Sequence, residues 1–184
     1  MAETKKIKQT GQVPPQDKEI EKCILGALMI DYSCVYLAMS KLFPEVFYVN
    51  SHNLIFKAIQ NIYDNNGKID MLTVVDQLRK NDDLEKAGGM YYITKLTQDV
   101  VSGANIETHI SIISEMYIKR EAINQCAELM TKAYQDSTDA FDIINEADNN
   151  FQKIQERVIG ANAKDIKYYS TNVINELYQV QTSG

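Results

Sequence analysis

Apolar residues recur every three or four positions along most of this chain, and alternating apolar–polar runs rich in β-branched residues are rare. The pattern predicts an all-α fold of about seven or eight helices. The first helix starts after Pro14-Pro15, since proline suits a first helical turn, where its missing N–H would have no partner anyway. Asp17, Glu19 and Glu21 place negative charge at its positive end. Ile20, Cys23, Ile24, Ala27 and Leu28 form its buried stripe, and Asp31 ends it. Ser33 is expected to cap a short helix reaching Leu42, and Pro44 then breaks the chain. Ser51 is expected to cap the next helix, with Leu54, Ile55, Ala58, Ile59 and Ile62 buried. Asn65-Asn66-Gly67 stops it, because these residues tolerate left-handed backbone. Asp70 caps a helix through Thr73, Val74, Val75 and Leu78. Asn81-Asp82-Asp83 is a turn and Leu84 to Ala87 a helical turn; Gly88-Gly89 breaks the chain before a helix from Met90 to Leu96.

Beyond residue 103 the pattern lengthens. From Ala104 to about Gln135, Ile106, Ile110, Ile113, Met116, Tyr117, Ile123, Ala127, Met130 and Tyr134 lie on one side. Asp136 to Asp139 form a short polar turn, and Ile144, Ala147, Phe151, Ile154 and Val158 step by three and four along a further helix. Two long helices joined by so short a turn lie antiparallel, so residues 104–158 predict an αα-hairpin. Gly160 to Tyr169 lacks an apolar period and reads as a linker. Ser170 and Thr171 precede an amphipathic segment, Val173, Ile174, Leu177 and Tyr178, too short to be stable unpartnered. The expected organisation is a disordered leader over 1–13, a compact helical bundle over 14–102, a hairpin over 103–159 and a linker with a docking helix over 160–184.

Composition narrows the function. The 184 residues are 45% hydrophobic and 24% charged, as in an ordinary globular protein. The formal net charge of −6 argues against a stand-alone grip on nucleic-acid phosphates, which rests on Lys and Arg. The N-terminal lysines are followed by no apolar stretch, so no signal peptide is expected, and no apolar run is long enough to span a membrane. Of the three cysteines, Cys23 and Cys126 fall on apolar faces, and with Cys34 they match no metal-ligand spacing. Small buried side chains in a reducing cytosol are the expectation.

No catalytic constellation emerges. The only histidines, His52 and His109, have no cysteine or carboxylate set at ligand spacing around them, and a structural role is expected for both. No glycine opens a phosphate-binding loop ending in Lys-Ser or Lys-Thr. Catalytic residues, metal and cofactor are therefore expected to be absent from this stretch. Gly88-Gly89 reads as a helix break ahead of an anion nest, and Asp82, Asp83 and Glu85 as a solvated turn. Tyr91-Tyr92 and Tyr168-Tyr169 offer stacking faces for bases, but no basic stripe accompanies them.

The order of short motifs carries more information. Pro14-Pro15-Gln16, Glu19, Glu21 and Leu25-Gly26-Ala27-Leu28 resemble the opening of DnaB-type replicative helicases. Val46-Phe47-Tyr48, His52 and Ile55-Phe56 resemble the next segment of that family. Asp70, Thr73 and Leu78 follow in order, then Leu84, Gly88-Gly89 and Tyr91-Tyr92-Ile93, then Ala104-Asn105-Ile106 and Lys119-Arg120. Each piece is mostly a packing motif, but five at the right spacing, over residues 13–160, identify the family's N-terminal domain and linker. The resemblance implies a cytoplasmic, bacterial, hexameric, ATP-driven helicase acting at the replication fork. It also implies that the chain stops short of the RecA-like motor, where ATP and magnesium belong. The N-terminal domains are expected to form a collar, a trimer of dimers assembled through the hairpin. They are also expected to dock primase, with a helicase loader as a further candidate partner, and the linker helix is expected to pack on a neighbour's motor.

The hairpin interface is therefore assigned to Ile113, Met116, Tyr117, Ile123, Ala127, Met130, Ile144, Phe151 and Ile154. The alternative for Ile113, Met116, Tyr117 and Ile123 is packing against their own domain. Val173, Ile174, Leu177 and Tyr178 are assigned to linker docking. Against the collar reading stand a helical single-stranded nucleic-acid-binding module unrelated to helicases and a helical enzyme. Weak DNA contact at most, and no membrane contact, is expected.

Overall fold

A computed structural model describes residues 13–100 and 103–157, and all regular structure among them is helical. The elements are α1 (Lys18–Ile30), α2 (Ser33–Lys41), a 3₁₀ turn (Pro44–Val46), α3 (Asn50–Asp64), α4 (Met71–Lys80), α5 (Gly89–Gln98), α6 (Ile106–Ala133) and α7 (140–157). The segment expected to dock through Val173, Ile174, Leu177 and Tyr178 lies outside the described residues.

α1 is the central helix. Asp17 caps it by accepting from the N–H groups of Glu19 and Ile20, each at 3.1 Å. Its burial exceeds the expected stripe: Leu25, Gly26 and Met29 are buried as well, because α2, α3, α5 and α6 all pack around it. Gly26 lets α5 come close. A Cβ there would collide with the Leu96 carbonyl oxygen and lie 2.6 Å from Val100 Cγ2.

Helix ends follow local chemistry, with two exceptions. Asp70 accepts from the N–H groups of Leu72 and Thr73 at 3.0 Å, and Thr73 Oγ1 accepts from Asp70 N–H at 2.9 Å, closing a capping box. Asn66, Asp82 and Gly88 each take left-handed backbone just past a helical turn, with φ of 54°, 57° and 101°. Around Asn66, Gly67 N–H donates to Ile62 C=O and Asn66 N–H to Tyr63 C=O; the same paired bonds recur at the other two sites, ending each turn in a Schellman motif. The exceptions are the two serine caps. Asp31, not Ser33, starts α2, accepting from Ser33 N–H at 3.0 Å. Ser51 caps nothing at the start of α3, where the capping acceptor comes from another helix.

α6 has two halves. Ile106, Ile110, Ile113, Tyr117 and Arg120 are buried; beyond Arg120 no residue of this helix is. The first half packs on α1, α2 and the 3₁₀ turn. The compact unit therefore does not stop at residue 102, because the opening turns of the long helix complete its core. The cysteine expectation also shifts. Cys34 is the buried one, its thiol against the Gly103 carbonyl, whereas Cys23 is half-buried and Cys126 exposed; all three are free. Cys126 falls on the half of α6 that has left the core.

Candidate assembly surface

The hairpin is joined by a short connection, 134–139, and runs antiparallel. Lys132 near the end of α6 pairs with Glu146 near the start of α7. Tyr117, earlier on α6, accepts a hydrogen bond at 3.2 Å from Arg157, later on α7. On α7 the half-buried line is Ile143, Ala147, Asn150 and Ile154. Ile144 and Phe151, expected in the seam, point away from it and are exposed, Ile144 at 57%. The helix is rotated by about one residue from the expected register.

The assigned interface residues therefore separate. Ile113, 1% exposed, and Tyr117, 4% exposed, belong to the chain's own core and are not open to a partner. They face inward because α6 closes over α1 and Phe43, whose ring meets Tyr117 edge-on at 5.0 Å. Met116, Ala127 and Ile154 are half-buried. Ile123, Met130, Ile144 and Phe151 are exposed, and so are Ile118, Tyr134 and Phe141, the last at 74%. These seven large apolar side chains lie on α6, at its C-terminal cap (Tyr134) and on α7.

Two polar residues at the hairpin's base are buried: Arg120, named above only within a motif, and Glu21, expected only as a first-turn charge on α1. Arg120 is 8% exposed; its Nη1 donates to Pro15 C=O at 2.8 Å and its Nη2 to Val46 C=O at 2.5 Å. Its guanidinium lies 5.6 Å from the Tyr48 ring centre and 5.9 Å from that of Tyr117. Burial pushes its pKa down, and the nearby Glu21 carboxylate counters the shift. Glu21, 1% exposed, accepts from Tyr48 N–H at 2.7 Å and Val49 N–H at 3.3 Å, so α1 supplies the cap for α3. Both sit in apolar registers: Glu21 in step with Ile24, Leu25 and Leu28, and Arg120 in step with Ile110, Ile113 and Tyr117. A charge in such a register was the available signal.

Glu21 also meets His52 Nδ1 at 2.6 Å, and His52 Nε2 meets the Tyr92 hydroxyl at 2.6 Å. In the neutral imidazole Nδ1–H donates to the carboxylate, so Nε2 accepts from the hydroxyl. An acid–histidine–hydroxyl line resembles a nucleophile's activating chain. Here it ties α1, α3 and α5 together, and the Tyr92 ring lies nearly parallel to the imidazole, with planes 5° apart. Tyr92 is thereby engaged within the domain, while Tyr91 remains exposed. Gly88 and Gly89 spend their N–H groups on Glu85 and Leu84 carbonyls, so they form the helix break and no anion nest. No trio of His, Cys, Asp or Glu among the described residues is placed to hold a metal ion. No described helix is long and apolar enough to cross a membrane.

A helical globule that shares one long helix with a protruding hairpin defines an architectural class of domain. A family model, the DnaB-like helicase N terminal domain, matches residues 13–115. The replicative DNA helicase DnaB of Rhodothermus marinus is 39% identical over 140 residues, 76% of this chain and 15% of that protein. The replicative DNA helicase DnaC of Bacillus subtilis is 30% identical over 170 residues, 91% of this chain and 37% of that protein. The crystal structure of the N-terminal domain of DnaB helicase from Mycobacterium tuberculosis superposes with a TM-score of 0.72 at 24% identity, covering 77% of this chain and 99% of that one. A DnaB-like replicative helicase, solved in a study of its interactions with primase, superposes with a TM-score of 0.62 at 22% identity, covering 77% of this chain and 31% of that one.

The chain belongs to the DnaB-like helicase N-terminal domain family. It spans well under half the length of these two replicative helicases.

Proposed function

We propose that this chain is the collar domain of a replicative DNA helicase: it assembles subunits and docks primase, and it catalyses nothing itself. The observation that carries this reading is the run of exposed Ile118, Ile123, Met130, Tyr134, Phe141, Ile144 and Phe151 on α6 and α7. Water-exposed side chains of this size gain most when a second copy covers them, and a two-fold pair of hairpins buries the same patch on both partners. Pairs of this kind then join as a trimer of dimers. Met116, Ala127 and Ile154 line the edge of the contact. A relative's described interactions with primase support the same partner here. ATP and magnesium belong to a motor domain elsewhere in the whole protein, which works in the cytoplasm.

Sedimentation of the chain between about 1 and 100 μM, the range over which an interface of modest affinity fills, tests the reading. We expect reversible dimers, abolished by Ile144→Asp or Phe151→Asp. A wild-type monomer throughout refutes it.

A further inference from the structure

The connection between α2 and α3, residues 43–49, is held from both sides of the hairpin. From α6, Arg120 donates to the Val46 carbonyl and lies beside the Tyr48 ring. From α7, Arg157 pairs with Glu45 at 2.8 Å and sits 4.2 Å from the Phe43 ring centre. Tyr117 stands between the two guanidinium groups, 5.9 Å from each, and its hydroxyl accepts from Arg157. The far end of the same connection gives its Tyr48 and Val49 N–H groups to Glu21 on α1.

We propose that Arg120 and Arg157 are positioning residues, a two-sided clamp on residues 43–48 that fixes the angle at which the hairpin leaves the globule. Apolar burial alone would not choose that angle. The lower half of α6 rests on isoleucines, and such contacts tolerate sliding and small rotations. A guanidinium does not, since its donors have fixed directions. Arg120 aims two of them at separate stretches of chain, Pro15 ahead of α1 and Val46 behind α2. An apolar residue at position 120 would fill the volume but fix neither stretch. Arg157 performs the same task for α7, which would otherwise be free to splay from α6 near its end.

The consequence for subunit pairing rests on the assembly reading above, so the test separates the two. Hydrogen exchange and sedimentation are measured on the whole chain carrying Arg157→Gln, with Arg157→Lys as the conservative control. Arg157 is half-exposed, so its loss leaves the core intact. Losing the ion pair and the ring contact should speed exchange of the α7 amides roughly tenfold, leave those of α1 and α3 unchanged, and weaken self-association by a similar factor. The lysine variant keeps the charge and should recover part of the protection. Unchanged α7 exchange in the glutamine variant overturns the clamp. So does equal acceleration in α1 and α3, or a lysine variant as unprotected as the glutamine one. If the wild-type chain never self-associates, the assembly reading fails while the exchange result still decides the clamp. Arg120→Gln, where it folds, should loosen the Pro15 and Val46 segments as well; undiminished protection there would also overturn the proposal.

Discussion

At the scale of single residues, stability concentrates in a few buried polar groups. Glu21 accepts from two backbone N–H groups and from His52, all away from water. Removing it strands those donors at the positive end of α3. Glu21→Ala should cost about 3 kcal/mol, seen as a fall in Tm of roughly 10 °C, since it leaves buried hydrogen-bond donors without an acceptor. Glu21→Gln keeps one acceptor oxygen and should cost less. Two of the eleven tyrosines carry a further signature. Burial raises the pKa of Tyr92, and burial with help from Glu121 raises that of Tyr117. Both therefore keep their protons in the folded state at a pH where the unfolded chain has lost them. Their contribution is intact below the ordinary tyrosine value of about 10 and declines as pH rises above it. Absorbance titration at 295 nm should show a late-ionising fraction in the folded chain that vanishes in denaturant. Urea midpoints should drop above that pH, and drop less in Tyr117→Phe.

At the scale of elements, the capping and packing arguments become measurable. Asp70→Ala removes a complete capping box and should lower stability by about 1 kcal/mol in urea titration. Gly26→Ala should cost about 2 kcal/mol or more, because the added methyl meets backbone of α5, which cannot step aside as a flexible side chain would. A urea midpoint unchanged by Gly26→Ala would contradict the α1–α5 approach. Elements of this kind were legible in the sequence wherever their signal was local. The Asp70 cap, the Asn66 stop, the Gly88 break and the long helix past Ala104 all follow from neighbours within a few residues. The start of α3 was not, because its capping carboxylate lies 27 positions away from Tyr48 on a different helix. The α7 register was also misjudged. Ile143 and Ile144 are equally apolar, and only the Lys132–Glu146 and Arg157 contacts settle which one faces α6. For Ile113 and Tyr117 the sequence left open an interface or packing within their own domain, and the second holds: a continuous apolar side does not say where along a helix the partner changes from the same chain to another.

At the scale of the whole molecule, the proposed assembly surface predicts a stability that depends on concentration. A dimer that dissociates on unfolding gains stability by mass action. The Tm of the wild-type chain should rise as its concentration is raised a hundredfold, and the Ile144→Asp variant should show no such rise. Family membership was legible because five short motifs keep their order and spacing, though none is decisive alone. α6 adds a mechanical consequence. One helix of 28 residues is core at one end and projecting arm at the other. The 13 residues beyond Arg120 form a lever about 20 Å long. A tilt of about 10° at the fulcrum carries its tip about 3 Å, close to the rise of two helical residues. Small repacking beneath Ile110 and Ile113 is therefore amplified into displacement at the far turn, and a substitution deep inside the globule can move the tip of the arm by ångströms.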